Sequence, residues 1–187
     1  MNKPMWVGAV AAVALAIPAL AAPLASGLKP GESVTPFHPK HLAGPLAGTT
    51  NCFPCTFQNR PQVQAWVNND DPKNVLAIAT TLGTAMKKHK DKEFKALVVV
   101  LTDGKNDAKA EEMVRVAAKN PATAGVGMAL LPKTDEAVGD YNINTGAEVK
   151  NTVIVYKNWK VADNFVNLKL DANGEAKLTK AIAAVAK

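Results

Sequence analysis

Two cysteines, two arginines and 5% aromatic residues are all that this 187-residue chain holds of those types, and each shortage excludes something. Two cysteines cannot staple a small domain, so stability has to come from a packed core. No run of twenty apolar residues exists, which excludes a multi-span membrane protein. The charge is +6 with a pI near 9.3, a balance that often signals a phosphate-rich partner. Here Arg60 and Arg115 are the only arginines, no aromatic ladder accompanies the bases, and Lys87-Lys88-His89-Lys90 runs straight into Asp91 and Glu93. A mixed, solvated surface is the reading, with no nucleic-acid partner. Glycine-rich phosphate loops, HExxH and GxSxG are also missing, so nucleotide, metalloprotease and serine-hydrolase chemistry have no support and no cofactor is expected. What remains, 48% apolar and 20% charged residues, is ordinary for one globular domain.

The first 21 residues read as a secretory signal peptide. Lys3 supplies the positive start, Trp6 to Leu20 is uncharged and apolar with Pro18 near its end, and Ala19-Leu20-Ala21 offers a small-x-small cleavage pattern. Cleavage would remove one lysine, leave no integral membrane span, and place the mature chain in an extracytoplasmic compartment, periplasmic or secreted, where thiols oxidise; the alternative is an uncleaved segment kept as a membrane anchor. Residues 22–61 form a leader rich in proline and glycine, expected to be extended and turn-rich.

Beyond the leader, strand and helix patterns alternate. Gln62 to Val67 alternates as a strand. Asp70-Asp71-Pro72 opens a helix that carries Val75, Ile78, Leu82 and Met86 at helical spacing to about Lys88. Ala96 to Leu101 is a β-branched run suited to a strand buried on both faces. A helix from Asp107 to about Lys119, a strand from Val126 to Leu131 and a short helix from Thr134 to Tyr141 follow. Thr152–Tyr156 and Val161–Phe165 flank a four-residue turn, so they form an antiparallel hairpin, and Asp171 to Ala186 closes as a helix. The expected fold class is α/β: three layers, a mostly parallel sheet, a C-terminal antiparallel hairpin and a terminal helix. Trp66 and Trp159 read as packing and turn residues.

That order, together with V-V-V-L-T-D at Val98–Asp103, Y-N-I at Tyr141–Ile143 and N-T-V-I-V-Y-K-N-W-K-V at Asn151–Val161, resembles the thioredoxin-like fold over residues 62–187. Asp107 to Leu131 corresponds to an inserted helix–strand unit. The resemblance implies a CxxC at the start of the helix after the first core strand and a cis-proline opposite. This chain has Asn68-Asn69-Asp70-Asp71-Pro72 at the first place and Asn151 at the second, so the usual family site is expected to be absent. A CxxC occurs instead as Cys52-Phe53-Pro54-Cys55, ahead of the strand. With Gly44-Pro45, Gly48 and Arg60-Pro61 it is similar to a leader found in certain secreted bacterial thioredoxin-like proteins.

Three readings of that pair stay open. As a redox site, Cys52 and Cys55 have the spacing for reversible closure, Cys52 is the expected attacking thiol by analogy, and the partner is a protein thiol or disulfide. As a structural disulfide they pin the leader, leaving a non-catalytic binding or scaffold protein. As a metal site, His38, His41, Cys52 and Cys55 form H-x2-H-x10-C-x2-C, suited to Zn²⁺ or Cu⁺. Haem attachment is excluded, because Thr56 stands where CxxCH needs histidine.

Overall fold

A computed structural model describes residues 24–187; the segment read as a signal peptide, residues 1–21, lies outside the described residues. Six strands form one sheet: β1 (Lys40–Ala43), β2 (Gln62–Val67), β3 (Lys95–Thr102), β4 (Gly127–Pro132), β5 (Asn151–Lys157) and β6 (Lys160–Val166), in the spatial order β1-β4-β3-β2-β5-β6. The helices are α1 (Phe53–Phe57), α2 (Pro72–Lys88), α3 (Asp107–Ala118), α4 (Glu136–Asp140) and α5 (Ala172–Val185).

The expected α/β class and its terminal hairpin and helix are observed, with one correction. Only β2–β3 and β3–β4 are parallel; β1–β4, β2–β5 and β5–β6 are antiparallel. The sheet is therefore mixed and not mostly parallel. The parallel pairs are those joined through helices, whereas β5 runs back along β2 and the leader adds an antiparallel edge through β1.

Alternation along β2 sends Val63, Ala65 and Val67 to one face, where they meet Ile78 and Leu82 of α2, Val114 of α3, and Leu178 and Ile182 of α5. Each of these large side chains contributes about 1.5–3 kcal/mol on burial. Asp71 starts α2 by accepting the Lys73 N–H at 2.9 Å, and Pro72 occupies the first turn, where its missing donor costs nothing. The long helices thus all lie on one face.

The opposite face is covered by the leader and α4. Leu28, Val34, Phe37 and Phe53 join Trp66, Leu97, Leu101, Tyr141, Ile154 and Tyr156 in a second core cluster. The core therefore begins well upstream of Gln62. Backbone bonds fasten the arm as it crosses: the Gly31 and Val34 amides donate to the Val161 and Trp159 carbonyls at 2.8 and 3.0 Å. Trp66 is 1% exposed and stacks on Phe37 at 5.0 Å, and Trp159 occupies the β5–β6 turn at φ 64°. No helix among the described residues is long and apolar enough to cross a membrane.

Candidate functional site

The cysteine pair is built by the leader. After β1 the chain turns through Gly44 to Gly48 and returns along residues 49–51, with the Gly48 amide donating to the His41 carbonyl at 3.0 Å. Cys52 then caps α1, with Pro54 in its first turn. Cys52 and Cys55 are joined by a disulfide, their Cα atoms 5.3 Å apart. The Cys55 amide donates to Cys52 Sγ at 3.1 Å, and the Thr56 hydroxyl donates to the Cys52 carbonyl at 2.8 Å. Cys52 is buried and Cys55 partly exposed. Phe53 anchors the helix in the second core cluster, edge-on to Phe57 at 4.7 Å. Lys95 Nζ stands 5.3 Å from the Phe57 ring centre.

A buried polar chain ties this short helix to the sheet. Gln62 Nε2 donates to the Gln58 carbonyl that ends α1 (2.8 Å), and Tyr156 Oη donates to Gln62 Oε1 (2.8 Å). Gln64 Nε2 donates to Tyr156 Oη (2.9 Å), while Trp66 Nε1 donates to Gln64 Oε1 (3.2 Å). Tyr141 Oη donates to the Thr35 carbonyl of the arm at 2.6 Å. Burial pushes both tyrosine hydroxyls well above their ordinary pKa, so they stay neutral and donate.

The histidines do not join the cysteines. His38 is exposed, with Nδ1 3.0 Å from the Thr50 carbonyl. His41 is 1% exposed, its Nε2 donates to the Asn51 carbonyl at 2.9 Å, and its ring lies 6.4 Å from that of Phe53. Desolvation by burial lowers the His41 pKa below 6.5, against the opposing pull of the Asn51 carbonyl. No group of three or more metal-ligating side chains occurs among the described residues. The Zn²⁺ or Cu⁺ reading on His38, His41, Cys52 and Cys55 is therefore corrected: the two sulfurs are bonded to each other, and the His41 ring is turned to the Asn51 carbonyl.

At the far end of β2 a second polar assembly closes the start of α2. Asp70 Oδ2 accepts from Asn74 Nδ2 at 2.7 Å and from Asn151 Nδ2 at 2.6 Å. Asn151 Oδ1 in turn accepts the Leu168 amide at 2.9 Å. Asn68 Nδ2 donates to the carbonyls of Gly146 and Val149, both at 2.9 Å. The cleft beside this network has a volume of about 450 Å³ and includes Lys73, Lys150 and Lys169 in its walls. From the sequence, Asp70 reads as a helix-start charge and Asn68 only as part of the segment standing in place of a CxxC, while Asn74 has no signal at all. Asn–Asp pairs 81 residues apart carry no local signal.

No protein-family model and no curated protein matches the sequence. Solved structures do. An uncharacterised conserved protein of Geobacillus kaustophilus superposes with a TM-score of 0.64 at 13% identity, over 84% of this chain and 82% of that one. A candidate thiol:disulfide interchange protein DsbE of Chlorobium tepidum gives 0.60 at 16% identity, over 86% and 99%. The 1-Cys peroxiredoxin of yeast mitochondria gives 0.57 at 14%, over 84% and 76%. The fold is thioredoxin-like. At such identities the likeness extends to the fold alone. The Asn68–Asp70–Asn151 assembly lies where the sequence resemblance leads one to expect a CxxC and a cis-proline, and no cis peptide bond occurs among the described residues. The cysteine pair sits at the other end of β2. The five steps from Gln62 to Val67, at about 3.3 Å each, put the two ends of β2 on the order of 17 Å apart.

Proposed function

We propose that this is an exported thioredoxin-like protein that exchanges disulfides with protein thiols through Cys52 and Cys55, at a site moved from the C-terminal to the N-terminal end of the parallel strands. The observation that carries the reading is the asymmetry of the pair. Cys55 is partly exposed and is the residue we assign to meet an incoming thiolate, whereas Cys52 is buried with its Sγ already accepting an N–H. Attack on Cys55 Sγ forms a mixed disulfide and breaks the Cys52–Cys55 bond. The electron pair leaves on Cys52 as a thiolate, stabilised by the Cys55 amide. A second thiolate of the partner then attacks its own sulfur in the mixed disulfide, so the partner leaves oxidised and Cys55 leaves as a thiolate. This order reverses the expectation that Cys52 meets the partner first.

Equilibration of the protein against dithiothreitol buffers tests the reading. A reduction potential above about −300 mV supports exchange, and one below it marks a structural bridge. The same titration decides for or against a non-catalytic scaffold, the reading supported by the closed Asn68–Asp70–Asn151 hydrogen-bond network where the resemblance leads one to expect a CxxC. Export rests on Lys3, the apolar stretch Trp6–Leu20 and Ala19-Leu20-Ala21. N-terminal sequencing of the protein recovered outside the cytoplasm should begin at Ala22.

A further inference from the structure

Basic and acidic residues that alternate along the chain are separated by the fold. The cysteine pair lies at the end of the sheet where β2, β3 and β4 begin. Phe53 abuts Gly127 at the start of β4, and Phe57 lies under Lys95 at the start of β3. The other segments that reach this end are residues 57–62, 87–95, 118–127, 157–161 and 186–187. Together they carry ten lysines and arginines against two acidic side chains, Asp91 and Glu93; the arm, whose Glu32 carbonyl accepts the Val161 amide, brings one lysine and one glutamate, Lys29 and Glu32, to the same edge. Glu93 is held by Arg60 at 3.1 Å, and Asp91 lies 3.5 Å from Lys92. Lys157 Nζ donates to the Lys187 carbonyl at 3.3 Å. At the opposite end, residues 68–73, 102–107, 132–136, 146–151 and 166–175 carry nine acidic side chains against five lysines. The cationic end also has a cleft of about 310 Å³, walled by Gln58, Arg60, Lys92, Lys157 and Lys187. Gln58 is one helical turn beyond Cys55.

We infer that the partner reacting at Cys55 is a protein segment with acidic residues around its thiol, drawn to and oriented at the pair by this cationic end. The inference rests on the exchange reading above and names the partner's chemistry. A field of one sign around a reactive group raises encounter rates by about 10- to 1,000-fold and loses that advantage in salt. Only one of the ten basic residues is an arginine and no stacking platform accompanies them. This favours a carboxylate-bearing protein surface over nucleic acid, where arginine forks and aromatic stacking do most of the reading.

The test compares reduction of the oxidised protein by three cysteine peptides whose flanking residues are glutamates, glycines or lysines. Each rate is normalised to the same peptide's rate against a small neutral disulfide, which removes differences in thiol acidity. At low ionic strength the glutamate peptide should react at least about 10-fold faster than the lysine peptide. The ratio should collapse near 1 M salt, where the screening length falls to about 3 Å. The double reversal Lys92→Glu/Lys157→Glu, at sites outside the disulfide, leaves the end less cationic and should shrink the glutamate-over-lysine ratio severalfold. Equal rates, a preference for the lysine peptide, or a preference indifferent to the charge reversal would overturn the inference. So would tight, salt-sensitive retention of duplex DNA with no peptide preference. Failure of the exchange reading looks different: none of the three peptides, nor dithiothreitol, would open the pair above about −300 mV.

Discussion

Tyr156 and Gln64 are each fully enclosed, so every polar atom they carry has to find its partner inside the protein. Gln64 serves two neighbours at once, giving a proton to Tyr156 Oη and taking one from Trp66 Nε1. Gln64→Leu should therefore cost about 1–3 kcal/mol, chiefly through the orphaned indole N–H. At roughly 2–4 °C per kcal/mol, the melting temperature should fall measurably. His41 sets a pH dependence of known sign. Its pKa is lowered by burial from 6.5, so on acidification the unfolded chain takes up a proton before the folded one does. The stability it contributes is complete above 6.5 and is lost as pH falls towards the folded value. Urea titrations on either side of that window should show this loss, and His41→Gln should flatten it.

At the scale of elements, α2 contains a glycine in the middle of a helix, where alanine is intrinsically better by about 1 kcal/mol. Gly83 is there because the 3-10 turn Pro121–Thr123 crosses α2 at this point, and a Cβ would collide with the Ala122 carbonyl oxygen. Gly83→Ala should destabilise the protein despite its gain in propensity, as chemical denaturation can check. The helices and strands from Gln62 onward were legible because each has a local signature: alternation in β2, the β-branched run of β3, and Asp71-Pro72 at the head of α2. β1 and α1 were not. Lys-His-Leu-Ala has no alternation and becomes a strand only because the free edge of β4 lies beside it. Phe-Pro-Cys-Thr-Phe is too short for a helical period. For the site, the sequence supplied the CxxC, its place ahead of β2 and the presence of Asn68–Pro72 and Asn151 where the resemblance leads one to expect a CxxC and a cis-proline. It was silent on the order of exposure, because whether Cys52 or Cys55 faces outward depends on Phe53 finding its pocket against the sheet.

For the molecule as a whole, the disulfide closes so short a loop that cross-linking adds at most about 2 kcal/mol. Reduction should therefore leave a folded protein with a melting temperature lower by about 4–8 °C at most, measurable by circular dichroism with and without reductant. Removal of the arm is a different matter. Leu28, Val34, Phe37 and Phe53 together represent about 6–12 kcal/mol of burial, comparable with the entire stability of an ordinary domain. A chain starting at Gln62 should lose its near-ultraviolet signal and bind hydrophobic dyes. The arm's hydrogen bonds also impose an order in time. Lys40 pairs with Leu130 and Ser33 bridges to Lys160, so this stretch, made early during synthesis, finds no docking site until β4 and β6 exist. Cys52 and Cys55 need only each other. Their bond can close while the rest of the chain is still a coil, so the covalent event in this protein can come before its folding.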